Sequence, residues 1–413
     1  MGDFTVTCAK CGHRQDPYVL ACPRDGSLVR TEYAARQLEL RSLPGMWRFL
    51  DWLPVREPLR EASSGPVCYR SEGLAKEIGL RELYISFNGY WPERRASMLT
   101  CSFKELEALP TLQRLRERES KDVFVVASAG NTGRAFAYIA SLTGTRAVVF
   151  VPAASRDRIW LPDVERSGVA VVAVEGDYYD AIRAADVLAG NPGFVPEGGA
   201  RNIARRDGMG TVMLDAAVTA GRLPRHYFQA VGSGTGGISA YEASRRLIGD
   251  GRFGDRYPVL HLVQSIPCAP LLKARKGGEL PSSCPRGIYD DVLFNRRPPY
   301  AGPGGVEEAL DATGGDILGV TNAEAEDARK LFEGSEGIDI LPAPAVAVAA
   351  LVRMAAAGEV GPNETCLLNI TGGGQARLRE DHEVRRVKED ATIPPDLDGV
   401  RVLEIVSELL EGP

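Results

Sequence analysis

Val123-Phe124-Val125-Val126-Ala127-Ser128-Ala129-Gly130-Asn131-Thr132-Gly133 is the stretch on which the reading of the fold turns. Its first half is β-branched and aromatic, as in a strand buried on both faces, and its second half is small and glycine-bearing. Over 134–142 the spacing becomes helical, with Phe136, Ile139 and Ala140 on one side. Strand, tight turn and helix in direct succession make half of a parallel βαβ unit. The pattern recurs along the chain. A strand is predicted over 147–151, stopped by Pro152, and another over Val169–Val174 ahead of a helix at 179–188. Leu83–Phe87, 227–231, 259–263 and Cys366–Ile370 are further buried-strand candidates. The class is therefore α/β, with parallel sheets covered on both faces and ligands expected at the carboxyl ends of strands.

At 413 residues the chain exceeds what one hydrophobic core usually organises, so two lobes are expected. A net charge of −6 argues against nucleic-acid binding, which needs clustered Lys and Arg. The longest apolar run, 343–357, is too short to span a bilayer and contains Arg353. With no signal-like apolar core at the start, the eight cysteines read as reduced thiols of a cytoplasmic protein.

Three strand ends carry unusual turns. Ser128-Ala129-Gly130-Asn131-Thr132 opens a helix whose free N–H groups suit a carboxylate. Gly232-Ser233-Gly234-Thr235-Gly236-Gly237 also opens a helix, and its glycines let backbone wrap a phosphate. It lacks the Gly-Lys-Ser/Thr ending of a P-loop and fits the dinucleotide fingerprint only loosely. Thr371-Gly372-Gly373-Gly374 places a hydroxyl at a strand tip beside flexible backbone. Each turn alone is equally well read as a tight connection. A fourth feature separates the readings: in Thr100-Cys101-Ser102-Phe103-Lys104-Glu105 a lysine sits among apolar residues. Partial desolvation there lowers its pKa and favours imine formation with an aldehyde.

The N-terminus stands apart. Cys8-Ala-Lys-Cys11 and Cys22-Pro-Arg-Asp25 are two knuckle-like turns of a small zinc ribbon. Cys8, Cys11 and Cys22 are candidate ligands, with Asp25 where the fourth would sit. The reading leans towards a ribbon that has lost its metal and survives on packing.

Together these motifs resemble the fold-type-II pyridoxal-phosphate (PLP) enzymes, the tryptophan synthase β-like fold, and within them the threonine synthase family. Ser102-Phe103-Lys104 is similar to that family's segment bearing the Schiff-base lysine. The resemblance implies that Ser128, Ala129, Gly130 and Thr132 seat the substrate carboxylate and that Asn131 meets the cofactor's phenolic oxygen. It further implies a phosphate cup at Gly232, Ser233, Gly234, Thr235 and Gly236, and Thr371 facing the pyridine nitrogen. Glu336-Gly337-Ile338 with Pro342 is similar to a family segment near the cofactor. Where threonine synthases carry Asp-Arg after the lysine, this chain has Glu105-Leu106-Glu107. Arg30-Thr31-Glu32-Tyr33, Leu43-Pro44-Gly45-Met46-Trp47 and Val292-Leu293-Phe294-Asn295-Arg296-Arg297-Pro298-Pro299-Tyr300 look more like the cysteate synthases, a branch of that family.

That branch implies β-replacement on O-phospho-L-serine by sulfite, giving L-cysteate and phosphate on a route to coenzyme M, in a homo-oligomer. Both substrates are anions, so basic groups are needed. Arg134, in the first turn after the Asn131 loop, is the leading candidate, with Arg156, Arg158, Arg201, Arg205 and Arg206 behind it. The implied organisation is a ribbon at 1–30, a large PLP-binding lobe from 45–120 and 215–413, and a smaller mobile lobe at 121–214. Three readings compete: threonine synthesis from O-phosphohomoserine, cysteine synthesis from phosphoserine, and a zinc-ribbon binding protein on a retired scaffold.

Overall fold

The computed structural model describes residues 3–280, 287–293, 295, 298 and 300–411. Phe294, Arg296, Arg297 and Pro299 of the segment singled out above lie outside the described residues. Among the described residues no helix is long and apolar enough to cross a membrane.

Two parallel sheets organise the chain. The larger runs Asp316–Val320, Val259–Ser265, His226–Ala230, Cys366–Ile370, Leu83–Phe87, Val67–Arg70, and its last strand is an antiparallel edge. The smaller is parallel throughout: Phe194–Pro196, Val123–Ala127, Ala147–Pro152, Val169–Val174, Ala391–Ile393. The central strands are buried on both faces, which accounts for their unbroken apolar runs. In each sheet three successive strands grow one way and the next jumps back past the first of those three. In the larger sheet the jump falls between His226–Ala230 and Cys366–Ile370, and in the smaller between Val123–Ala127 and Phe194–Pro196. Such switch points open a crevice at the carboxyl ends. The turns at Gly232, Thr371 and Ser128 leave from these strands.

The helix Glu105–Glu117 lies between the sheets' helical layers, packed on Asn131–Thr143 and Ile203–Ala220. Pro110 stands inside it and has no N–H, so the Leu106 carbonyl loses its intrahelical donor. Gly208 meets that carbonyl: a Cβ there would lie 1.8 Å from Leu106 O. The missing side chain lets Ile203–Ala220 approach closely and fixes where Arg205 falls, one turn earlier.

The boundary at 121–214 needs correction. Ala391–Ile393 joins the smaller sheet beside Val169–Val174. Gly399–Glu411 packs on Tyr178–Ala189, burying Val402 and Val406 with Ala181, Ala185 and Leu188. A three-residue strand carries no periodicity of its own, so only the packing reveals it. In the other direction, Ile203–Ala220 packs on Thr235–Asp250 and Val67–Arg70, with the larger sheet. At the N-terminus, Arg14–Gln15, Phe4–Cys8 and Val29–Tyr33 form a three-stranded antiparallel sheet that runs past the expected end of the ribbon at residue 30.

Candidate active site

The switch points of both sheets face one cavity of about 670 Å³. Lys104, Ser128, Ala129, Gly130, Asn131, Thr132, Gly232, Ser233, Gly234, Thr235, Gly236 and Thr371 all line it. Residues far apart in sequence thus converge: the Gly232 and Thr371 turns leave neighbouring strands of the larger sheet, and the Ser128 turn of the smaller sheet lines the same cavity.

Lys104 is brought there by pairing with the tip of Cys366–Ile370. Phe103 N donates to Thr371 O at 3.0 Å, Gly373 N donates to Cys101 O at 3.2 Å, and Ser102 bridges to Gly372. Lys104 then begins the helix Glu105–Glu117. Its Nζ donates to Glu107 Oε1 at 2.5 Å, and Glu107 Oε2 accepts from Arg205 Nε at 2.9 Å and from a second Arg205 nitrogen. Arg205 also pairs with Glu197, which lines the cavity. Two cations and two carboxylates form one chain. Burial lowers the Lys104 ammonium below its ordinary range, opposed by Glu107. Burial pushes Glu107 up, but Arg205 and Lys104 outweigh it and hold the carboxyl below its usual range. The arrangement keeps Glu107 ionised and Lys104 easily deprotonated. In the sequence Glu107 stands out only as a departure from a family pattern, and Glu197 not at all.

The loop after Val123–Ala127 is set by Ser128 Oγ, which accepts from Gly130 N at 2.9 Å. Gly130 has φ +144 and opens the helix Asn131–Thr143, whose first-turn N–H groups have no intrahelical acceptor. Arg134 does not reach the cavity, contrary to its expected role. Its side chain is buried beneath the loop, donating to Thr100 O at 3.0 Å, Arg158 O at 3.1 Å and Asn131 Oδ1 at 2.8 Å, with Trp160 under the guanidinium. Burial lowers it to about 10, opposed by Cys101 and Glu105. A guanidinium can only donate, so this contact fixes which end of the Asn131 amide is oxygen and leaves its NH₂ as the free donor.

The cup after His226–Ala230 is close-packed. Gly234 has φ +80, and a Cβ at Gly236 would lie 2.2 Å from Gln229 Nε2. Ser233 and Thr235 hydroxyls are 2.8 Å apart at the start of Thr235–Asp250. Thr371, after the neighbouring strand Cys366–Ile370, presents a neutral hydroxyl, not a carboxylate, to the same cavity.

Of the other arginines, Arg206 is buried against Glu242, Ala200 O and Val29 O, away from the cavity. Arg156 pairs with Glu389, and Arg158 with Asp291 and Ala129 O. Among the described residues, the arginines that line the cavity are Arg201 and Arg205, and Arg201 has no ion-pair partner there. Glu336 also lies elsewhere: it accepts from Ser71 Oγ, Leu74 N and Tyr69 OH and anchors the helix Gly73–Glu77, while Ala343 of the same region reaches the wall.

A lysine, a glycine-rich cup with no room for side chains, and a hydroxyl on the neighbouring strand tip fit pyridoxal phosphate in size and chemistry. Residues 66–372 match the family described as pyridoxal-phosphate dependent enzyme. The chain is 54% identical to the cysteate synthase of Methanococcoides burtonii, over 100% of this chain and 99% of that protein. It is 56% identical to that of Methanothrix thermoacetophila, over 95% and 96%. Among solved structures it is similar to a threonine deaminase, with TM-score 0.55 and 21% identity over 74% of this chain and 93% of that one. It is similar to the serine racemase of Dictyostelium discoideum, with TM-score 0.54 and 18% identity over 75% and 93%.

Proposed function

The chain belongs to the pyridoxal-phosphate-dependent enzyme family and, within it, to the cysteate synthases, and from that premise we propose that it converts O-phospho-L-serine and sulfite to L-cysteate and phosphate. The observation that carries the proposal is the convergence of Lys104, the Asn131 loop, the Gly232–Gly236 cup and Thr371 on one cavity. In the reaction the Cβ–O bond to phosphate breaks and a Cβ–S bond to sulfite forms.

Bound pyridoxal phosphate supplies the electron sink that makes the Cα–H bond of the amino acid acidic. Lys104 holds the cofactor through its amine. With the amino acid bound, Lys104 Nζ would be the base that takes the proton from Cα and later returns it. Glu107 Oε1, against that nitrogen, holds the ammonium between the two transfers. The cup amides and the Ser233 and Thr235 hydroxyls would hold the cofactor's phosphate, and Thr371 would offer the ring nitrogen a neutral partner. A neutral partner there leaves the sink moderate, which suits expulsion of a good leaving group. Arg134 holds the Asn131 amide with its oxygen towards the guanidinium, so its NH₂ would be the donor to the cofactor's phenolic oxygen. The first-turn N–H groups after Gly130 orient the substrate carboxylate. Arg201 and the open end of the cavity receive the departing phosphate and the incoming sulfite.

The test is incubation of the PLP-loaded protein with phosphoserine and with phosphohomoserine, each with and without sulfite. Cysteate is expected from phosphoserine with sulfite. Threonine from phosphohomoserine with no cysteate would overturn the proposal. Borohydride reduction followed by peptide mapping should label Lys104, and a label on another lysine would overturn the site.

A further inference from the structure

We propose that the N-terminal sheet holds one structural Zn²⁺ through Cys8, Cys11, Cys22 and Asp25. Three thiol sulfurs and a carboxylate oxygen lie within 4.8 Å of one another there. Cys11 Sγ and Cys22 Sγ are 3.9 Å apart, and Cys8 Sγ is 3.7 Å from both Asp25 oxygens. Zinc–sulfur bonds of about 2.3 Å and zinc–oxygen bonds of about 2.1 Å give tetrahedral edges of roughly 3.5–3.8 Å. The four groups already stand close to that spacing, and the pairs measured come from different knuckles.

The backbone repeats the same device twice. Cys8-Ala-Lys-Cys11-Gly12 and Cys22-Pro-Arg-Asp25-Gly26 each end on a glycine of positive φ, at +67 and +71. Gly12 N donates to Cys8 O at 3.1 Å and Gly26 N to Cys22 O at 2.8 Å. The amides of Lys10 and Cys11 point at Cys8 Sγ, each at 3.4 Å, and Ser27 N donates to Asp25 Oδ1 at 3.0 Å. N–H groups aimed at sulfur and carboxylate favour their deprotonated, metal-binding forms. Three thiolates and one carboxylate in a closed tetrahedral set select zinc over harder cations.

The sheet has reason to need a clip, since among the described residues its apolar core is small: Val6, Cys8, Cys22 and Val29 packed on Ile203, with Phe4 and Val19 partly buried beside them. Leu20, just before Cys22, forms part of the active-site wall and packs against Gly198, where a Cβ would lie 2.7 Å from Leu20 Cδ2. A metal at the knuckles would hold that part of the wall in register.

The experiment uses the full-length, PLP-loaded protein produced in zinc-supplemented medium. Elemental analysis should return about one zinc per chain, and exchange with Co²⁺ should give the intense ligand-field bands of a tetrahedral thiolate site. Cys11 is exposed, so Cys11→Ser should lose the metal and the cobalt bands while keeping the PLP absorbance. Asp25→Cys should retain zinc and release it to a chelator more slowly than the parent. Absence of zinc and of cobalt bands, a Cys11–Cys22 disulfide in the purified chain, or full zinc retention in Cys11→Ser would overturn the proposal. None of these readouts depends on which amino acid the enzyme consumes.

Discussion

Lys104 Nζ and Glu107 Oε1 are 2.5 Å apart, one helical turn from each other, in a pair where the Glu107 side chain is fully buried and the Lys104 side chain is 21% exposed. The amine reaches the cavity while its partner stays behind it, held by Arg205. Glu107 raises the Lys104 pKa that burial lowers. Glu107→Gln should therefore shift the acid limb of the kcat profile to lower pH and cut kcat by roughly 10²-fold, the size of a general acid–base contribution. The KM for phosphoserine should change little. A pH–rate profile that superimposes on the parent's would exclude a role for Glu107 in proton handling.

Arg134 ties the Thr100 carbonyl, the Arg158 carbonyl and Asn131 together without facing the cavity. Arg134→Lys cannot reach all three acceptors. It should cost about 2–4 kcal/mol of stability, from one to two buried acceptors left unpaired, and lower kcat more than it raises KM. Denaturant unfolding and steady-state kinetics together check this, and a change confined to KM would return Arg134 to the substrate.

Arg201 is the cavity arginine with no ion-pair partner among the described residues. Arg201→Ala should raise the KM for phosphoserine by about 10–100-fold, the loss of one charge-assisted hydrogen bond. Cofactor absorbance should be unaltered. A KM within about twofold of the parent, too small for the loss of a charge-assisted bond, would assign the anion contact elsewhere.

His261 is buried against Phe228 and 2.9 Å from His226, and burial lowers it to about 3. An unfolded chain protonates this ring near about pH 6.5, so below that pH the unfolded state binds more protons than the folded one. Stability from this group is complete above about pH 6.5 and falls on acidification, by about 2 kcal/mol down to about pH 5. His261→Gln, which keeps a polar partner for His226, should flatten the stability profile over that interval. Denaturant midpoints measured at several pH values decide it, and an equally steep profile would place the effect in other groups.

Much of the architecture was readable because its signals are local. The strand Val123–Ala127 and the helix after it announce themselves in apolar spacing, and Cys366–Ile370 matches its predicted bounds. The turns at Ser128, Gly232 and Thr371 are visible because close backbone approach needs small residues at those points. Lys104 stood out only in their company. The course of long side chains was not readable. Arg134 sits in the first turn of a helix facing the cavity, yet it turns under the loop, because Thr100, Arg158 and Asn131 offer it three acceptors there. Nothing in the spacing of Glu107, Glu197 and Arg205 marks them as one network with Lys104.

By itself, then, the sequence determined the class of fold and the three strand-end turns, since backbone preference and apolar periodicity act over a few residues, and it singled out Lys104 as a candidate beside them. The tertiary structure alone decided which charges meet, which of the candidate arginines line the cavity, and that Ala391–Ile393 completes the smaller sheet. Those outcomes depend on segments far apart in the chain being packed together, where each buried charge needs its partner and each sheet edge its neighbour.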